Sequence, residues 1–403
     1  VSAETVEIAQ QLGPDLVTLR RRLHRIPEIG LHLPKTQQLL LEELAGLDVE
    51  VHRGRTLSSL TVVLRGRATR DDGSRGVVLL RGDMDALPVA EEVASDHASE
   101  HEGVMHACGH DLHMAALVGA ARILHRVRDR LAGDVVLMFQ PGEEGPGGAE
   151  PMLAEGLLDV AGARVEAAYA LHVMSSEHPA GQWFARPGPL FAAADEVHVR
   201  VLGSGGHGSA PHRAKDPIPA ACEMVLALQA MKARTADVFD PVVVNVGLIA
   251  AGTKENIIPD EAYFEATVRT LSEPTRARVH AAITRTVSGI AAAHDLEVEV
   301  EQVRGYPVTV NDEAEYALAH RTVLDLFGAA RFTTMPHPDL GAEDMAFVLR
   351  EVPGAYFNLG ACPGPDPLTA PDNHSPRAAF DDSVLPDAAA WLAEVALRRL
   401  AGA

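Results

Sequence analysis

Two rhythms of apolar residues alternate along the first 190 positions of the chain. Apolar residues spaced three and four apart predict helices over about 4–25, 36–46 and 113–131, with a short one near 150–158. Between them lie runs that are apolar almost throughout: "SSLTVVLRG" (58–66), "GVVLLRGD" (76–83), "DVVLMFQP" (134–141) and "AAYALHV" (167–173). Strands of that kind have both faces covered, so they predict a mostly parallel sheet flanked by helices. In such sheets, ligands gather beyond the strand ends.

The rhythm changes near residue 195. "DEVHVRVLG" (195–203) alternates strictly, with Val197, Val199 and Val201 on one face and Glu196, His198 and Arg200 on the other. A helix follows over 217–233, then strands at 241–249 and 261–271, a helix at 274–293, and the alternating "LEVEVEQV" (296–303). The order β-α-β-β-α-β is that of a ferredoxin-like unit. After 305 the first texture returns, with a buried strand "AYFNLGA" (355–361) and a helix over about 384–400. The expected architecture is α/β: a catalytic domain (1–192 and 306–403) interrupted by an inserted α+β satellite domain (193–305).

Composition narrows the function classes. Across 403 residues the net charge is −21, with 56 acidic against 35 basic side chains and no basic run, which argues against a nucleic-acid or anionic-membrane partner. No apolar stretch approaches the ~18 residues of a membrane span, and the first residues read as an amphipathic helix, not a signal peptide. Cys108, Cys222 and Cys362 form no disulfide framework, so a reducing cytoplasm is the expected compartment. Cys222, in the apolar "PIPAACEMVLALQAM", reads as a small core residue.

The chemistry-bearing residues cluster at strand ends. Asp83 and Asp85 follow "VVLL", Glu143 and Glu144 follow "VVLMF", and His172 ends "AYAL". Cys108, His110 and Asp111 precede the long helix, and His374 lies in the loop "PDNHSP". Taken singly, each has an ordinary explanation: a packed histidine, a solvated acidic turn, a buried thiol. Taken together they do not, because charges buried at one sheet edge without partners cost on the order of several kcal/mol each. A divalent cation resolves the conflict. Imidazole, carboxylate and thiolate donors fit zinc, with manganese, cobalt or nickel possible at a carboxylate-rich site. Adjacent glutamates can divide coordination from proton transfer.

"RGDMDALP", "GVMHACGHDLHMA", "FQPGEEGPGGA", "ALHV", "GSGGHGSAPH", "ENIIPD", "GAEDMA" and "NHSP" occur in the order found in the zinc-dependent aminoacylase/carboxypeptidase family. The chain resembles that family's N-acyl-amino-acid amidohydrolase branch, which includes hippurate hydrolases and auxin-conjugate hydrolases. The resemblance implies two divalent metal ions held by Cys108, His110, Glu144, His172 and His374. It also implies Glu143 as general acid/base, Asp85 as a carboxylate behind a ligand, and His207 as an oxyanion donor acting across a dimer interface. Asn256, Arg269 and, more weakly, His212 resemble residues that bind the substrate's carboxylate. In carboxypeptidase-like relatives a residue at the position of Asp111 bridges the metals and a histidine replaces Asp83, which leaves both roles open here. His106 and His113 are expected on a loop and a helix surface.

The implied activity is hydrolysis of the amide of a small-molecule N-acyl amino acid or amino-acid conjugate by a homodimer joined through the satellite domain. The alternative within the enzyme class is a metallo-carboxypeptidase or dipeptidase with the same centre. A metal-free thiol hydrolase built on Cys108 would leave His172 and the glutamate pair without purpose, and a silent scaffold would not keep the whole set.

Overall fold

The computed structural model describes residues 2–402. These form two compact units: one runs through Leu190, Val310–His337 and from Phe347 onward, and the other comprises Phe191–Thr309 with Pro338–Ala346.

The first unit is built on an eight-stranded sheet whose strands, in chain order, are β1 (Glu50–Arg53), β2 (Leu60–Arg65), β3 (Gly76–Asp83), β4 (Gly133–Gln140), β5 (Ala167–Pro179), β6 (Trp183–Ala185), β13 (Phe332–Thr334) and β14 (Gly354–Cys362). They are arranged β1-β2-β4-β3-β5-β14-β6-β13. The central β4, β3, β5 and β14 are parallel. β2 joins β4 and β6 joins β14 in antiparallel fashion, so the sheet is mixed at its flanks. Residues of β3, β4 and β14 are buried along their entire length, as their unbroken apolar runs require.

Alternation along the central strands sorts their side chains. Val78, Leu80, Val135, Leu137, Phe139, Tyr169, Leu171, Val173, Phe357 and Leu359 join one core with residues of helices α1 (Ser2–Arg25), α3 (His110–Arg126) and α8 (Leu385–Leu400). The opposite parity places Arg81, Asp83, Gln140, His172 and Asn358 on the other face, towards the strands' C-terminal ends. Asp83 stands beside Gln140 and His172 beside Asn358 in register.

Helix α3 starts at His110, three residues before its apolar spacing becomes visible, so His110 and Asp111 lie in the first turn instead of preceding the helix. The residue before it, Gly109, has φ 81°, and a Cβ there would come within 2.4 Å of a Val173 methyl. Glycine is therefore required where the Cys108 loop turns into the helix. α3 ends at Arg126, and the remainder of the expected helix forms a separate turn, Arg128–Arg130.

The second unit holds a four-stranded antiparallel sheet of β7 (Ala193–Leu202), β9 (Val243–Ala251), β11 (Glu261–Thr270) and β12 (Glu297–Arg304), arranged β9-β11-β7-β12. Helices α5 (Pro217–Thr235) and α6 (Glu273–Ala293) complete the βαββαβ order. Val197, Val199 and Val201 pack against Met224, Leu228, Phe264, Ile283 and Val287. At the base of this unit Asp195 accepts from Arg276 Nε (2.8 Å), His280 Nε2 (2.6 Å) and the Gly305 amide (3.0 Å), joining the strand that enters the unit to the one that leaves it. Cys222 is exposed, contrary to its apolar surroundings in sequence, because Ala221, Met224 and Leu228 occupy the inward stripe of α5.

Candidate metal centre

The parallel strands deliver their following loops to one edge of the sheet. Cys108 Sγ lies 3.3 Å from His172 Nε2 and 3.3 Å from His374 Nε2. Glu144 Oε1 lies 3.2 Å from His374 Nε2 and 3.8 Å from His110 Nε2. Within each of the triplets Cys108–His110–His172, Cys108–Glu144–His374 and His110–Glu143–Glu144, the ligand-capable atoms are within 4.8 Å of one another. Cys108, His110 and Glu144 are each shared between two triplets, the pattern expected of a dinuclear site. All five residues expected as ligands thus meet, from four separate segments of the chain.

The lone pairs of this cluster have the arrangement a cation needs. His110 Nδ1–H donates to the Asp85 carbonyl at 2.9 Å, which leaves Nε2 as a lone-pair donor towards the cluster. Buried His110 Nε2 has no hydrogen-bond partner among the described residues, and Glu144 Oε1 faces the His374 imidazole at 3.2 Å. Acceptors crowded together with too few donors are costly in a protein interior, and a divalent ion removes that cost.

Asp85 is placed behind His110, as expected, but the contact runs through its main-chain carbonyl. Its carboxylate instead accepts the amides of Glu143 (2.9 Å) and Glu144 (3.0 Å). Glu143 Oε2 lies 4.0 Å from His110 Nε2 and Glu143 belongs to only one of the triplets within this cluster that include Cys108, His110 or Glu144.

His113 is buried, not on the helix surface, because three positions after His110 it shares that residue's side of α3. Its Nδ1–H donates to Asp83 Oδ1 at 2.6 Å, and its Nε2 accepts the Val173 amide at 2.9 Å. Both nitrogens are therefore engaged, and the Asp83–His110–His113 grouping offers no open ligand on His113. Asp83 also pairs with buried Arg81, whose Nε donates to Gln140 Oε1 at 3.0 Å. Sequence reasoning passed over Arg81; the signal was an arginine inside an apolar strand, two residues before an aspartate and so on the same face. Asp111 turns away from the cluster. Its Oδ2 meets Arg20 Nε and His24 Nδ1, each at 2.8 Å. His106, expected on a loop surface, is buried as well.

Electrostatics follow from this packing. Burial pulls the His110 imidazolium down, but Asp83 and the neighbouring acceptors outweigh it and hold the group well above its ordinary value. Burial and the adjacent His113 hold His172 well below its own. Hydrogen bonding to Cys108 and Glu144 raises His374 to about 10, and burial, reinforced by Glu144, raises the Cys108 thiol. His106 is pushed down to about 3 by burial.

The remaining predicted residues lie in the second unit. Strands β8 (Gly206–His207) and β10 (Ile257–Ile258) pair, with His207 opposite Ile257, and the Gly208 amide donates to the Asn256 carbonyl at 2.9 Å. The structure therefore brings His207 and Asn256 into adjoining loops. His207 Nδ1 accepts the Ser209 amide at 3.2 Å, which leaves the proton of the neutral ring on exposed Nε2. His212 is exposed in the turn Pro211–Arg213. Arg269, half-buried on β11, makes no ion pair among the described residues. A depression of about 1050 Å³ in this unit lies against His198, Arg200, Ile257 and Tyr263.

A two-unit α/β architecture with imidazole, thiol and carboxylate groups converging at a sheet edge defines a metal-dependent hydrolase. The chain belongs to peptidase family M20/M25/M40, whose sequence profile matches residues 79–398. It is 36% identical over 373 residues to thermostable carboxypeptidase 1 of Saccharolobus solfataricus, covering 92% of this chain and 91% of that protein. It is 37% identical over 345 residues to an N-acetyldiaminopimelate deacetylase of a Geobacillus species, covering 85% and 89%. Among solved structures, the Bacillus subtilis YXEP protein, a dinuclear metal-binding peptidase of the M20 family, superposes with a TM-score of 0.82 at 29% identity, covering 97% of this chain and 99% of that one. No helix among the described residues is long and apolar enough to cross a membrane.

Proposed function

We propose that this protein hydrolyses the amide bond of N-acyl amino acids or small amino-acid conjugates, releasing a carboxylic acid and a free amino acid. The observation that carries this reading is the convergence of Cys108, His110, Glu144, His172 and His374, with Glu143 adjoining them. Those five residues would hold two divalent ions, zinc being the best match to a thiolate-containing set. Such ions, when bound, polarise a carbonyl and lower the pKa of water.

The chain's own groups supply the rest. Glu143 takes the proton of the attacking water and delivers it to the leaving nitrogen. The Asp85 carboxylate fixes the main chain of both glutamates. His207, carrying its proton on Nε2, is the donor for the tetrahedral oxyanion, and Arg269 offers two parallel N–H groups to a substrate carboxylate, with Asn256 and His212 beside that role. The 193–305 domain would close over the substrate and join two chains into a homodimer.

Two kinds of relative support different acyl groups on the amino acid released: one is a carboxypeptidase, the other an N-acetyldiaminopimelate deacetylase. The testing experiment is hydrolysis by metal-reconstituted protein of a panel spanning acetyl-, benzoyl- and indolylacetyl-amino acids and unblocked dipeptides. Preference for acyl amino acids is expected; cleavage of dipeptides alone selects the carboxypeptidase or dipeptidase reading. Mixing His207→Ala with Glu143→Gln subunits after dissociation and reassociation should restore part of the activity if His207 acts in the partner's site. No recovery despite verified subunit exchange overturns that arrangement.

A further inference from the structure

The segment carrying His374 is held by the residue before it. Asn373 Oδ1 accepts the Ser175 main-chain N–H at 2.8 Å, while Nδ2 lies 3.1 Å from the Val173 carbonyl, 3.4 Å from the Cys108 carbonyl and 3.7 Å from Cys108 Sγ. A main-chain N–H only donates and a carbonyl only accepts, so these partners fix which end of the carboxamide is nitrogen. One amide proton faces Val173 and the other is shared between the carbonyl and the sulfur of Cys108. His374 itself has φ 69°, unfavourable for a residue with a Cβ and sustained only where surroundings impose it. Its N–H donates to the Ala107 carbonyl at 2.9 Å. Residues 373–374 therefore clamp two segments, 107–108 and 173–175, that carry or adjoin other residues of the cluster.

We propose that Asn373 is a positioning residue of the metal centre. Its carboxamide donates towards the Cys108 sulfur and, through Val173 and Ser175, sets the His374 segment against the middle of β5. This rests on the reading of Cys108 and His374 as ligands. The sulfur, like groups of His110 and Glu144, belongs to two ligand triplets, so its electron density would bear on both ions. A hydrogen bond to a ligating thiolate draws density from it; without that bond the thiolate is a stronger donor but its direction is no longer fixed.

The test uses the full-length protein loaded with cobalt(II), followed by thiolate-to-cobalt absorption, elemental analysis and chelator competition. Wild type should show a charge-transfer band that Cys108→Ser removes. If it shows none, the ligand assignment fails first, and that outcome is distinguishable from failure of the present proposal. Asn373→Asp keeps the shape and Oδ1 but replaces the N–H donor with an acceptor, and Asn373→Ala removes both. In each, the band should move to lower energy and cobalt affinity should fall about 10- to 100-fold. A band and an affinity unchanged in either folded variant overturn the proposal. A readout on wild type needs no substitution: with asparagine labelled in ¹⁵N, one carboxamide NH₂ pair should be shifted by the unpaired cobalt spin. Absence of any such pair also overturns it.

Discussion

The two oxygens of the Asp85 carboxylate accept the main-chain N–H groups of Glu143, at 2.9 Å, and Glu144, at 3.0 Å. Two loops that follow neighbouring regions of the sheet are thereby fastened at the point where proton transfer and coordination are divided. Each such charge-assisted bond contributes about 1.5–3 kcal/mol. Asp85→Ala should lower kcat on the order of 100-fold and weaken metal affinity by about 10-fold, the scale seen when groups supporting ligands are removed. Steady-state kinetics beside elemental analysis checks this, and an unchanged kcat at full occupancy would show that the fastening does not matter for turnover.

The glutamate pair should separate on substitution. Glu143→Gln is expected to keep both ions and lose about 10²- to 10⁴-fold in kcat, the range for a general acid/base. Glu144→Gln should lose metal, because its Oε1 stands among the imidazoles of His110 and His374. The reverse pattern in metal analysis exchanges the two roles.

Asp111 neutralises buried Arg20 and His24 from the first turn of α3. Asp111→Ala leaves Arg20 with Asp382 alone and His24 with Glu91 alone, and should destabilise the fold by less than the about 3–5 kcal/mol usual for breaking a buried pair from one side. Metal stoichiometry should remain two ions per chain. Urea denaturation reads the first effect and elemental analysis the second; loss of one ion without loss of stability would make Asp111 a ligand.

Stability of the second unit should fall in acid through Asp195. Burial raises its carboxyl pKa, but hydrogen bonds from Arg276 and His280 outweigh this and hold it well below its ordinary 3.8. A group depressed in the folded state binds fewer protons there than when unfolded. Its stabilisation is therefore complete above about pH 4 and is lost as pH falls towards the folded value. Asp195→Asn should lower stability at neutral pH and flatten the acid limb of the curve, as followed by denaturant unfolding between pH 2 and 7. A variant with the same acid limb as wild type would assign the acid sensitivity to other carboxylates.

The sequence by itself determined the elements and the chemistry available at their ends. Apolar runs buried on both faces could only be central strands, and strict alternation around Val197, Val199 and Val201 could only be a sheet covered on one side. Those local rules are properties of the backbone, so they survive without knowledge of neighbours. That acid, imidazole and thiol groups would gather was legible because parallel strands end at a common edge; the choice of Cys108, His110, Glu144, His172 and His374 among them was what the family resemblance implied. What the tertiary structure decided was which atom of each residue meets which. Asp85 supports His110 through its carbonyl and the glutamates through its carboxylate, a division invisible in a string of residue types. His113 turned inward because the end of β3 and the Val173 amide offered partners for both its nitrogens, while Cys222 turned outward because other residues of α5 filled the core. Asp111 was claimed by Arg20 and His24, which lie 91 and 87 positions away in sequence. Pairings of that kind depend on how helices settle against a sheet, and sequence periodicity records only that they settle.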